Sequence, residues 1–235
     1  MPANLNNKNI NIKAVANKAL KNDKLLAGLL DNLWSKDETI RYNSHKVLFF
    51  ITEERPQALY SNWDYFVKFL DSDNTYHKLS AILLLANLTK VDKNNKFEKM
   101  FNRFYDLLND KSFITAAYLA GASGKIAKAK PKLQTRITNR LLSIDKTHHD
   151  PERIDLVKGS IIESFKEYFE ESKNKKKIIE FVKKQLKSKS PKTKKIAKDF
   201  IEQLNKSTEK EDNCKRSIER CQKQIRQAHR RQISA

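Results

Sequence analysis

The chain has 235 residues, 39% hydrophobic and 32% charged, with four glycines and a net charge of +20. That apolar content can bury a core, while the charge and the shortage of glycine exclude a loop-rich or sheet-rich fold and favour helices. Two cysteines, Cys214 and Cys221, leave no disulfide framework and no four-ligand zinc set, which predicts a reducing, cytoplasmic setting.

The N-terminal MPANLNNKNINIKAV lacks the apolar stretch of a secretory signal. The longest apolar run, LSAILLLANL, is about half of a membrane-spanning helix. A soluble protein with no membrane partner is expected. The first helix is predicted in NIKAVANKAL, where Ile12, Val15, Ala16, Ala19 and Leu20 recur at helical spacing, so residues 1–21 form an N-terminal capping region. Residues 22–204 then divide into five units, each an amphipathic first helix, a short turn and a capped second helix.

The first helices are DKLLAGLLDNLW, QALYSNWDYFVKFL, NKFEKMFNRFYDLL, PKLQTRITNRLL and KNKKKIIEFVKKQL. In the last of these Ile178, Ile179, Val182 and Leu186 make a one-sided apolar stripe. The second helices start at Asp37, Asp73, Asp110, Asp150 and Ser190, at separations of 36, 37, 40 and 40. Asp and Ser suit these starts because their side-chain oxygens accept from the free N–H groups of the first turn. Pro151 and Pro191 follow their caps, where a missing N–H costs nothing. Pro56 and Pro131 fall in connections between units.

Residues 205–235 make a basic C-terminal helix or tail. In it Cys214, Ile218, Cys221, Ile225 and Ala228 alternate by four and three, as in a coiled-coil seam. The seam would pack on the last unit or pair with a second copy, giving a monomer or a tail-mediated dimer.

With these turns and spacings, residues 22–204 resemble the HEAT-repeat family of armadillo-like α-solenoids. Ile40 and Arg41, three and four residues past Asp37, match the family's turn-Asp and Val-Arg pattern, and GASGKIA is similar to its common helix ending. The resemblance implies an all-α fold, a right-handed α-solenoid of about five HEAT-like helical pairs, whose stacked pairs form an extended binding surface. The arginine occurs in the first unit alone, with His77, Ile114 and Lys194 at or near the equivalent place, so the family's Asp-Arg ladder is expected to be mostly missing.

The motifs that suggest chemistry have plainer explanations. YLAGASGKIAKAKPK contains Gly121, Gly124 and a Gly-Lys pair, but a phosphate-binding loop needs four residues between its glycines, a hydroxyl after the lysine and a preceding strand. Ala117, Ala120, Gly121 and Gly124 instead predict a small-residue face that lets two helices approach closely, at a propensity cost of roughly 1 kcal/mol per glycine. His148 and His149 are adjacent and point in different directions, so no metal site is expected. Trp34 and Trp63 sit among apolar residues and are expected in the core or a seam. No Ser/His/Asp, Cys/His or paired-carboxylate set stands out, so no enzyme, no catalytic residue and no cofactor are expected. A remote alternative is a HEAT-like DNA alkylation-repair glycosylase, to which Trp63, Asp64 and the lysine surplus bear a superficial resemblance, although that family's motif has no place in this sequence.

The remaining function is binding, by a non-catalytic scaffold that holds a protein or an acidic macromolecule. Residues 1–119 carry 17 Lys+Arg against 13 Asp+Glu, and residues 120–235 carry 31 against 15, so the excess lies in the second half. Its densest part, residues 173–198, holds twelve lysines and one glutamate. Lys173, Lys175, Lys176, Lys177, Lys183, Lys184, Lys187, Lys189, Lys192, Lys194, Lys195 and Lys198 are the candidate polyanion-binding residues, and nucleic acid is the second class of partner. Phe181 and Phe200 fall on or beside apolar stripes, which leaves base stacking without an obvious platform here. Solvated helix faces in a lysine-rich chain are the alternative to a binding site.

Overall fold

The computed structural model describes residues 5–7 and 9–206, and every regular element among them is helical. The α-helices are α1 (Ile12–Ala19), α2 (Asp23–Asp31), α3 (Glu38–Glu54), α4 (Trp63–Lys68), α5 (Thr75–Leu88), α6 (Lys96–Asp106), α7 (Phe113–Ala129), α8 (Gln134–Leu142), α9 (Pro151–Lys166), α10 (Lys175–Gln185) and α11 (191–206). No helix among the described residues is long and apolar enough to cross a membrane. The seam expected around Cys214 and Cys221 lies outside them.

Short polar side chains start most of these helices, though not always the expected ones. Asn11 and Asn22 accept from the amides of Ala14 and Leu25, and Asp37 accepts from Thr39 and Ile40 at 2.8 and 3.0 Å. Asn74, not Asp73, caps α5 by accepting from the Tyr76 amide at 2.9 Å, while Asp73 pairs with Lys111. Ser112, not Asp110, is the cap residue of α7, and Asp110 accepts the Ser112 amide from two residues upstream. Asp150 caps α9 without a side-chain bond, with Pro151 next to it. Ser190 accepts the Thr193 amide at 3.3 Å and starts α11.

A three-residue 3-10 turn closes each of α2, α4, α6 and α8, beginning at Asn32, Phe69, Leu107 and Ile144, at separations of 37, 38 and 37. These turns, more than the first helices themselves, carry the contact to the following second helix: Asn32–Trp34 packs on α3, Phe69–Asp71 on α5, Leu107–Asn109 on α7 and Ile144–Lys146 on α9. Pro56 and Pro131 open further 3-10 turns that lead into α4 and α8.

The second helices pack in succession, α3 on α5, α5 on α7 and α7 on α9, with α1 against α3. The core runs along this row as Val47, Leu48, Ile51, Leu84, Leu85, Leu119, Ile126, Val157, Ile161 and Phe165, all essentially without solvent contact. Burying each large apolar side chain contributes roughly 1.5 to 3 kcal/mol. Trp63 is 1% exposed and belongs to this core, so it lines no groove, and Asp64 beside it pairs with Lys96 at 2.7 Å. Trp34 sits in a seam, stacked on Phe69 at 4.1 Å and donating its Nε1–H to the Tyr65 hydroxyl at 3.0 Å.

Small residues set the spacing of the last helices. A methyl group at Gly124 would lie 2.8 Å from the Ser164 carbonyl oxygen, so α9 approaches α7 only because that carbon is missing. At the next step the Thr193 hydroxyl donates to the Asp155 carbonyl at 2.6 Å, and a methyl at Gly159 would lie 2.9 Å from the same hydroxyl. Gly121 has nothing within 4 Å of its missing methyl, so it is not part of the close contact expected of the small-residue face.

Candidate functional site

The second helices bury one face in the core and expose another to solvent. Along α3 the edge of that face carries Arg41 and Tyr42, with the Nδ1 of His45 buried beneath; along α5, Tyr76, Leu79 and Leu83, with Ser80 buried between them; along α7, Ala117, Tyr118, Gly121 and Lys125. Each set recurs at steps of three and four, the spacing of one helical stripe. Two hollows result. The first, about 530 Å³, lies between α3, α5 and Tyr118 of α7, and the second, about 380 Å³, lies between α5, α7, Ser160 of α9 and Lys192 of α11. Leu83 and Tyr118 border both, so the two hollows adjoin along one groove-like face that reaches from α3 to Lys192 of α11.

Three tyrosines stand in the first half of this groove. Tyr42 and Tyr76 are each 61% exposed and Tyr118 is 46% exposed, unusual for large aromatic side chains. Cations accompany two of them: the Arg41 guanidinium lies 5.4 Å from the centre of the Tyr76 ring, and the Lys46 ammonium 4.9 Å from that of Tyr42. Arg41 is held in place by donating to the Ser35 carbonyl at 2.8 Å. His45 adds no charge at neutral pH, because burial pushes it down to about 4, and its Nδ1 is buried without a hydrogen-bond partner.

The second half of the groove is cationic. Lys125 donates to Glu53 at 2.6 Å and to the Asn87 side chain at 3.2 Å, and Asn87 in turn donates to the Thr52 hydroxyl, so one lysine of α7 reaches over α5 to the end of α3. Lys192 is exposed and makes no ion pair among the described residues. Lys90 and Lys128 are close enough to act on Glu167, whose carboxyl burial nevertheless pushes up, against the pull of Lys125, Lys128 and Lys90.

The twelve lysines singled out in the sequence do not gather at this groove. Lys175, Lys176, Lys177, Lys183 and Lys184 belong to α10, Lys192, Lys194, Lys195 and Lys198 to α11, and Lys173, Lys187 and Lys189 to the connections, and of these Lys192 borders the groove. Lys175 is half-buried and paired with Glu170 at 3.0 Å, and Lys198 faces Glu202 at 3.7 Å. The tyrosines went unmarked in the sequence because they lie at different distances from their caps, five residues past Asp37, two past Asn74 and six past Ser112.

His148 bonds to Asn109 and His149 to the Leu108 carbonyl, both fastening the α9 turn to the preceding unit. No group of three His, Cys, Asp or Glu side chains is placed to hold a metal among the described residues. No family model, no curated protein and no solved structure matches this chain.

Proposed function

We propose that the chain is a non-catalytic binding protein: a right-handed, HEAT-like solenoid of five helical pairs, from α2–α3 to α10–α11, whose second-helix surface holds an extended acidic macromolecule. The observation that carries this reading is the set of exposed tyrosines, Tyr42, Tyr76 and Tyr118, beside Arg41 and Lys192 along two adjoining hollows of the second-helix surface. Aromatic and arginine side chains dominate binding energy where partners meet, and the groove offers Tyr42, Tyr76, Tyr118 and Arg41 on rigid helices. The net charge of +20 favours acidic partners by attraction over long range. Polyanions of different kinds, polyglutamate, single-stranded DNA and duplex DNA, titrated by fluorescence anisotropy at low salt, test the reading. Saturable binding of at least one, weakened by salt, is the expected result, and no binding of any would remove it.

A further inference from the structure

Resting on that reading, we propose that the groove takes single-stranded nucleic acid, with bases against Tyr42, Tyr76 and Tyr118 and the backbone along Arg41, Lys46 and Lys192. Sequence-tolerant binding of single strands combines aromatic platforms with a positively charged track, and both occur here on one face. The tyrosines belong to three consecutive second helices, which pack roughly 8 to 10 Å apart, so an extended strand crossing them meets one open ring per helix. Their rings are open where most large aromatics are covered.

Charge is arranged to match. Lys46 and Arg41 stand beside the first two rings, and Lys192 lies exposed past the third. Of the carboxylates close to the track, Glu53 is held by Lys125, Glu38 faces Arg41 at 3.9 Å from an exposed position, and Glu167 lies within the pull of Lys125, Lys128 and Lys90. Between the rings the floor includes the apolar side chains of Leu79 and Leu83, which suit the faces of bases. A duplex hides its base faces and would use the lysines alone.

Anisotropy of a labelled oligothymidine of roughly 12 nucleotides against the full chain decides the matter. Tyr76→Leu and Tyr118→Leu keep an apolar side chain and remove the ring. Each is expected to weaken binding about tenfold, within the range of one base-aromatic stack, with an unchanged circular dichroism spectrum. Lys192→Gln is expected to lower the salt slope by about 0.7, one phosphate contact on a single strand. The pair Lys176→Gln and Lys177→Gln, on α10, is expected to leave affinity unchanged. Equal affinity for duplex and single strand, or a loss with the α10 pair and none with the tyrosines, would overturn the proposal. Binding of polyglutamate or duplex without oligothymidine would also overturn it and leave the acidic-partner reading standing, whereas binding of none of the three removes both.

Discussion

Lys78 of α5 and Asp110, in the turn before α7, form an ion pair whose side chains are 10% and 7% exposed. Burial alone would raise the Asp110 carboxyl, but the bonds from Lys78 and the Ser112 amide outweigh it and hold the group below the usual carboxylate range. Because Asn74 caps α5, Lys78 stands four residues past its cap, as Arg41 does past Asp37. The pair ties α5 to the turn before α7.

Removing one member of this pair leaves the other as a bare buried charge. Lys78→Met should cost roughly 3 to 5 kcal/mol. The double change Lys78→Met with Asp110→Asn should cost less, because neither residue then carries an unpaired charge. Urea denaturation at pH 7 measures both, and a double variant less stable than the single would contradict the account.

Gly121 and Gly124 share a helix and should respond in opposite directions to alanine. At Gly124 the added methyl meets the Ser164 carbonyl and the Glu167 side chain at 2.8 Å, so α9 must move, at a cost of about 1 to 3 kcal/mol. At Gly121 nothing lies within 4 Å, and the better helix former should stabilise by up to about 1 kcal/mol. Thermal melts of the two variants should shift to opposite sides of the unsubstituted chain.

This pair also marks how far the sequence could be read. The helical units, their spacing and the packing role of the Gly-Ala stretch were legible, because caps and apolar stripes are local signals. Which glycine makes the contact was not, since that depends on the rotation of α7 against α9. The caps at Asn74 and Ser112 were misplaced for a local reason: Ser72-Asp73-Asn74 and Asp110-Lys111-Ser112 each offer more than one capping side chain, and the pairing of Asp73 with Lys111 and of Asp110 with Lys78 decides which is free. The groove was illegible because its three tyrosines share no register and meet only when neighbouring helices are stacked.

Acid should weaken the fold through His45 before Asp92 and Asp110 titrate. His45 is pushed down to about 4 by burial, from an ordinary 6.5, and His77 is lowered in the same direction by burial and by Arg41. Between those two values of His45 the unfolded chain binds a proton that the folded chain excludes, so stability falls as pH drops from 6.5 towards 4. The loss attributable to His45 is at most roughly 3 kcal/mol. Asp92 and Asp110 are held below 3.8 and contribute their own loss only at lower pH. Urea midpoints across this window should slope for the natural chain and flatten in His45→Leu, and an unchanged slope would assign the effect to other groups.

If the helical pairs stack as a solenoid, each unit depends on its neighbours alone and damage at one end stays there. Deleting residues 188–235 removes α11, and with it the Thr193–Asp155 bond, the cover over Gly159 and the edge-on contact of Phe200 with Phe169 at 5.3 Å. Helices α9 and α10 lose part of their packing, whereas α3 keeps its packing on α5, and α5 its packing on α7. Circular dichroism of the truncated chain should show most of the helix retained. Amide hydrogen exchange should show faster exchange in α9 and α10, with α3 and α5 protected as before. A uniform loss of protection from α1 onward would mean that the helices form one all-or-none globule, and the solenoid proposal would fall.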